Sequence, residues 1–230
     1  MILRKWIAIR TRRTQKIYTC LMFVLAFAQP IYATELTCPA GIGAIAGQKP
    51  TFVKAFKDGT RVILCGDAGP GANGLAGEFD VYSVDTSGKL SASLFQVTSL
   101  ETYKVYSNGD ILNFDELMDG ANGIPLFSRK LKCVKGDCTF SKESCIVKPP
   151  RVASQKQVLK QLQDYLSHKA ATYPSQELAY LAFSCDADAR KFFADPPKEF
   201  DQRLGVADQE DFGRLKAQVN RVVVAKCKYH

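Results

Sequence analysis

Histidine is nearly absent from the chain, which carries only His168 and His230, together with one tryptophan and three methionines. So few imidazoles exclude a multi-histidine metal centre and leave a histidine-based triad almost nothing to draw on. No apolar run approaches the roughly 20 residues that a membrane-crossing helix needs. The longest, Ile17 to Ala28, is twelve residues and ends at Gln29 and Pro30. None of Asn73, Asn108, Asn113, Asn122 and Asn220 is followed two positions later by Ser or Thr, so there is no N-glycosylation acceptor, which tilts the reading toward a bacterial periplasm. A nucleophile elbow, a zinc-protease helix motif and paired CxxC ligands are missing as well.

What is present begins with export. Arg4, Lys5, Arg10, Arg12, Arg13 and Lys16 precede the apolar run without one acidic residue among them, the layout of a cleavable signal peptide. Small residues permit cleavage after Ala28 or after Ala33. The second, downstream of the helix-breaking Pro30, is preferred, which makes Thr34 the first mature residue. Gln15 and Lys16 stand where a twin-arginine signal would be apolar, and the residues before Cys20 do not form a lipobox, so the general secretory route is expected. Removing residues 1–33 takes six of the 31 basic residues and none of the 23 acidic ones, leaving a net charge of +2. The basic character belongs to the leader. A mature chain so close to neutrality offers no electrostatic ground for binding nucleic acid.

The mature sequence changes character at Lys148, Pro149, Pro150 and Arg151, giving a β domain over 34–148 and a helical domain or subdomain over 149–230. Upstream, short apolar runs alternate with turn residues. Phe52–Phe56 and Arg61–Cys65 flank Asp58-Gly59, and Tyr103–Tyr106 and Ile111–Phe114 flank Asn108-Gly109. Phe79–Val84 with Lys89–Val97, and Phe127–Val134 with Cys138–Phe140, form two more hairpins. Strands of this kind cover a core only as a barrel or sandwich. Downstream, Ser154 and Gln157 have the spacing of a capping box before a stripe of Val158, Leu159, Leu162, Tyr165 and Leu166. A second helix is read from Ser175 through Phe193, a third from Asp208, and Val222–Val224 as a short closing strand. The fold class is therefore α+β: an antiparallel β-rich part followed by a small three-helix part, disulfide-bonded.

Seven cysteines remain after cleavage, an odd number in an oxidising compartment. A two-residue turn at Lys135-Gly136 would set Cys133 opposite Cys138 at a closely spaced ladder position. Cys185 with Cys227 would tie down the chain end, Cys38 with Cys65 would fasten the mature N-terminus, and Cys145 is left over. A zinc site from Cys133, Cys138 and Cys145 lacks both the spacing and a fourth ligand.

Other patterns fail on context. Gly69, Gly71 and Gly74 satisfy the dinucleotide fingerprint, but a strand follows where a helix should open, so a surface loop is expected. The tetrapeptide Gly-Ala-Asn-Gly recurs at 120–123 as a second turn. Asp115, Glu116, Asp119 and Asn122 gather oxygen atoms near it without the ligand order of a calcium loop. His168 complements a helix C-terminus, and the pairs Asp186/Asp188 and Asp208/Asp211 sit at helix starts, where negative charge is favourable for its own sake. Nothing calls for a cofactor or a resident metal, and no catalytic residue can be named. Two functional classes remain. The first is a periplasmic or secreted binding protein of the inhibitor, immunity or envelope-associated kind, whose partner is another exported or envelope protein, with no nucleic acid and no stable membrane anchor. The second is an exported hydrolase using carboxylates that converge in a cleft.

Overall fold

The computed structural model describes residues 35–42, 44–67, 69–70, 75–98, 101–118, 123–151 and 154–227. The leader, the cleavage site at Ala33 and Thr34, and Asp119, Asn122 and His230 lie outside them.

Two antiparallel sheets form the N-terminal part. Strands β1 (Phe52–Ala55), β2 (Arg61–Gly66), β5 (Phe79–Val84) and β6 (Phe95–Val97) make the first, in the order β1-β2-β5-β6. The second follows the path β10-β9-β8-β7-β4-β3, built from β3 (Gly69–Pro70), β4 (Leu75–Ala76), β7 (Thr102–Asn108), β8 (Ile111–Leu117), β9 (Pro125–Val134) and β10 (Asp137–Phe140). Strand β11 (Ser144–Cys145) also pairs with β9. Gly69 of the glycine fingerprint lies in β3, which pairs with β4 and extends the second sheet, while Gly71 and Gly74 lie outside the described residues.

Strands β2 and β5 are buried on both faces, which is why they read as apolar runs and not as alternation. Val62, Leu64, Phe79 and Val81 meet Tyr103, Leu112, Phe114 and Leu131 of the other sheet in a shared core. Ile63, Cys65, Tyr82 and Val84 face the opposite way and are covered by Leu36, Cys38 and Ala44. That N-terminal strap is held by the Cys38–Cys65 disulfide and by the Ile42 amide, which donates to Asp80 Oδ2 at 3.0 Å. Gly41 is needed there, because a Cβ at that position would come within 2.6 Å of the same oxygen.

Local chemistry refines two of the hairpins. Asn108 pairs with Ile111, so the loop is Gly109-Asp110, one residue later than the Asn-Gly reading, and Gly109 takes the positive φ of 60°. The run Lys89–Val97 is strand only at its end: after a single bridge from Val84 to Leu90 the chain leaves the ladder until Phe95. Serine side chains compete with the ladder there. Ser91 Oγ accepts from the Ser83 amide at 3.0 Å, and Ser93 Oγ donates to Asp80 Oδ1 at 3.1 Å. At the last hairpin Lys135 and Gly136 both have positive φ, and Cys133 lies opposite Cys138.

The C-terminal part contains five helices where periodicity suggested three: α1 (Gln155–Leu166), α2 (Ser175–Phe183), α3 (Ala187–Ala194), α4 (Lys198–Arg203) and α5 (Val206–Lys226). The single helix read from Ser175 to Phe193 is broken at Cys185, whose φ of 65° is left-handed. Asp186 then caps α3 by accepting from the Ala189 amide at 2.9 Å. Helix α4 follows Pro196 and Pro197 and is too short to show a stripe. Val222–Val224 are not a strand; α5 runs through them with Val222 buried and Val224 exposed, tertiary packing of one helical face overriding β-branched propensity. The capping box at Ser154 is also not formed. Ser154 stands at the N-cap without a side-chain bond, and its carbonyl accepts from the Gln157 amide instead.

The helices pack on the second sheet through one cluster that joins Met118, Leu126, Phe127 and Val147 to α1, α2, α3 and α5. Its centre is aromatic: Phe200 touches the rings of Tyr165, Tyr173, Phe192 and Phe212. Among the described residues no helix is long and apolar enough to cross a membrane.

Candidate binding sites

Two regions collect polar side chains around a concavity. The first lies at the seam between the sheets and α5. Glu116 at the end of β8 is 2% exposed, and its carboxylate accepts from Arg221 Nη1 at 2.8 Å. Arg221 Nη2 reaches Glu143 at 3.1 Å, and Glu143 also accepts from Nε and Nη2 of Arg129. The two guanidinium groups lie over the Phe127 and Phe95 rings. Tyr103 completes the group by donating to Glu101 at 2.9 Å.

Environment pushes the two carboxyls of this network apart. Burial raises Glu116 above its ordinary value against the pull of Arg221, with Glu101 and Glu143 adding to the rise. Burial acts on Glu143 too, but its bonds to Arg129 and Arg221 outweigh it and hold the group below the usual range. The Tyr103 phenol is driven strongly upward, by burial first and then by Glu101 and Glu116. A cleft of about 420 Å³ opens beside Glu101, Tyr103, Arg129, Glu143 and Arg221, and the buried Glu116 does not line it.

The second region is in the helical part, where the turn Thr172–Tyr173 between α1 and α2 separates two adjoining hollows. The larger, about 570 Å³, is bounded by Tyr165 of α1, Ser175 of α2, Leu204, and Asp208, Asp211 and Arg214 of α5. The smaller, about 390 Å³, lies between Asp164 of α1 and Glu177 of α2. Arg214 is paired with Asp211. The carboxylates of Asp164, Glu177 and Asp208 and the hydroxyls of Tyr165 and Tyr173 have no hydrogen-bond or ion-pair partner among the described residues. Burial, reinforced by Tyr165, Asp208 and Asp211, pushes the Tyr173 phenol up to about 12.

The residues singled out from the sequence are spread across the fold. Cysteines join as Cys38–Cys65, Cys133–Cys138 and Cys185–Cys227, and Cys145 is a free, half-buried thiol packed beside the helical cluster. Asp186 is a helix cap, also bonded by Gln155 Nε2 at 2.6 Å, and Asp188 lies in the first turn of α3. Asp208 and Asp211, read as a helix-start pair, both line the larger hollow. Asp115 and Glu116 are adjacent on β8, so their side chains leave opposite faces of the sheet. Among the described residues no group of three or more His, Cys, Asp or Glu side chains could hold a metal ion. His168 occupies the left-handed position after α1, with φ 62°. The Glu116–Arg221–Glu143–Arg129 network is not legible in the sequence, because its members lie on two strands, the loop before β11 and a helix, up to 105 residues apart.

The chain matches no protein-family model, and neither the curated proteins nor the solved structures include a significant match.

Proposed function

We propose that this is an exported, disulfide-braced binding protein that engages another exported or envelope polypeptide, as an inhibitor, an immunity-type protector or an envelope component would. The observation that carries this reading is the pair of open hollows in the helical part, lined by polar groups that the fold itself leaves unused. Sites that bind present convergent polar groups on an apolar concave surface, and the larger hollow does so over Leu204 and Leu215. Three disulfides suit a periplasmic or extracellular destination, where such bonds persist. The signal layout of residues 1–33 supplies the route.

Exporting the tagged protein, taking its intact mass and capturing its partner from an envelope extract tests the reading. The expected result is a mature chain starting at Thr34 and one identified polypeptide that rebinds when both are pure. A chain retaining residues 1–33 in the membrane, or capture that purified components do not reproduce, counts against it.

A second reading, an exported hydrolase, is favoured by one observation: Glu116 and Glu143 are held at opposite protonation tendencies beside the seam cleft, the arrangement that assigns acid and base roles in carboxylate enzymes. Arg221 bridges the two carboxylates and Glu116 is screened from the cleft, which fits a structural latch better. Turnover of chromogenic glycosides or esters that is lost in Glu143→Gln would reverse the preference.

A further inference from the structure

We infer that the two hollows form one groove for a lysine- or arginine-bearing segment of a polypeptide; this rests on the binding-protein reading above and names the chemistry of the partner.

Charge gives the first argument. Asp164 and Glu177 stand on one side of the Thr172–Tyr173 turn and Asp208 and Asp211 on the other, while Arg214, already committed to Asp211, is the one basic side chain of the lining among the described residues. Against the carboxylates of Asp164, Glu177 and Asp208, which have no ion-pair partner among the described residues, stands one further guanidinium, Arg203, stacked on Tyr165 and bonded to the Ala170 carbonyl. The groove therefore keeps an excess of negative charge, and a chain bearing separated positive charges is matched on both sides of the turn.

Tyr165 gives the second. The residue is 4% exposed and forms part of the wall of the larger hollow, while its hydroxyl oxygen reaches solvent and bonds no other side chain or carbonyl among the described residues. A ligand that displaces water from this hydroxyl must offer it an acceptor, which an apolar ligand does not. A peptide answers each part of the surface. Its carbonyl oxygens accept from the Tyr165, Thr172 and Ser175 hydroxyls, the aliphatic stems of its lysines lie on Leu204 and Leu215, and their ammonium groups reach the carboxylates. The wall already accepts a cation of this kind within the chain, since the Arg203 guanidinium lies 4.0 Å over the Tyr165 ring.

The test is a calorimetric titration of the oxidised mature protein, at low salt, with an acetylated and amidated hexapeptide of alternating lysine and alanine. Saturable binding is expected. Glu177→Gln and Asp208→Asn should each weaken it about two- to fivefold, the range for exposed ion pairs. Tyr165→Phe keeps the ring and its volume while removing the hydroxyl, and should weaken it by about fivefold with the melting temperature nearly unchanged. Glu210→Gln, exposed on α5 outside the hollows, should leave it unaltered. Spermidine binding as tightly as the peptide overturns the proposal in favour of a small polycation. Equal weakening by Glu210→Gln overturns it as unspecific charge attraction, and a Tyr165→Phe protein that binds like wild type shows a phenol served by water alone, which also overturns it. If an envelope partner is captured but binds the Glu177→Gln/Asp208→Asn double variant undiminished, the groove assignment fails while the binding-protein reading stands.

Discussion

The β part and the helical part are built around similar aromatic centres and differ in how they treat charge. Phe79, Phe95, Tyr103, Phe114 and Phe140 touch one another between the sheets much as Tyr165, Tyr173, Phe192, Phe200 and Phe212 do among the helices. Beside the first centre the ionised groups close on one another, Glu116 and Glu143 on Arg221, Glu143 on Arg129. Beside the second, Asp164, Glu177 and Asp208 stand open. Charges that complete one another fasten a fold, whereas charges left over on a concave wall are available to something else. The difference assigns cohesion to the seam and is the basis for the recognition we propose at the hollows.

Emptying the helical centre strikes hardest at this comparison. Phe200 is fully buried, so Phe200→Ala should cost about 3–5 kcal/mol in urea unfolding. A loss under about 1 kcal/mol would mean that the helical part has no core equivalent to that of the sheets. Next in size is Cys227→Ser. The Cys185–Cys227 bridge spans a separation of 42 residues and closes a loop worth on the order of 3–4 kcal/mol in the chain-entropy model, while Cys133–Cys138 spans only five. Thermal melts under oxidising conditions should therefore drop by several degrees for Cys227→Ser and much less for Cys138→Ser; equal drops would remove the special standing of the helical bridge.

The seam is sharpened by pH. Glu143 titrates below its ordinary value of 4.5 in the folded chain, so the stability it contributes is present above that value and lost as pH falls through the folded one. Glu143→Gln should cost about 1 kcal/mol above roughly pH 5, with the gap from wild type closing in acid. Glu116 has the opposite sign: its folded value is raised, its contribution is present below 4.5 and lost as pH rises, and Glu116→Gln should cost least near neutrality. Parallel pH profiles for the two variants would show that the burial of Glu116 and the second guanidinium at Glu143 do not hold the two carboxyls apart. The smallest effect is local. His168→Gly relieves a left-handed φ of 62° at an exposed position and should stabilise by about 0.5 kcal/mol, detectable as a small rise in melting temperature.

Features written in neighbouring residues are legible in the chain itself. Asp58-Gly59 and Lys135-Gly136 state their turns in two letters, and the stripe Val158, Leu162, Tyr165 states the inward face of α1. The break at Cys185 is hidden, because a cysteine rarely takes a left-handed φ and no glycine marks the spot. Val222–Val224 mislead for a related reason: three β-branched residues favour a strand until a buried surface on one side makes the helix better. Of the residues lining the hollows, Asp208, Asp211 and Ser175 stand out in the sequence as helix starts and Tyr165 as part of the α1 stripe, none of them as part of a site. What brings Tyr165, Ser175 and Asp208 to one wall is the packing of three helices, for which no short motif exists.

Helix α5 has a mechanical consequence. Its 21 residues make a beam about 30 Å long. The C-terminal end is clamped: Gln218 donates to the Leu117 carbonyl, Arg221 grips Glu116 and Glu143, Lys226 donates to the Val147 carbonyl, and Cys227 is welded to Cys185. The N-terminal end carries Asp208, Asp211 and Arg214 and packs on other helices, with Gln209 holding the carbonyls of Asp201 and Leu204. A load applied in the hollow is borne at the sheet, so the partner proposed there would pull against the β part and not against a loose helical appendage.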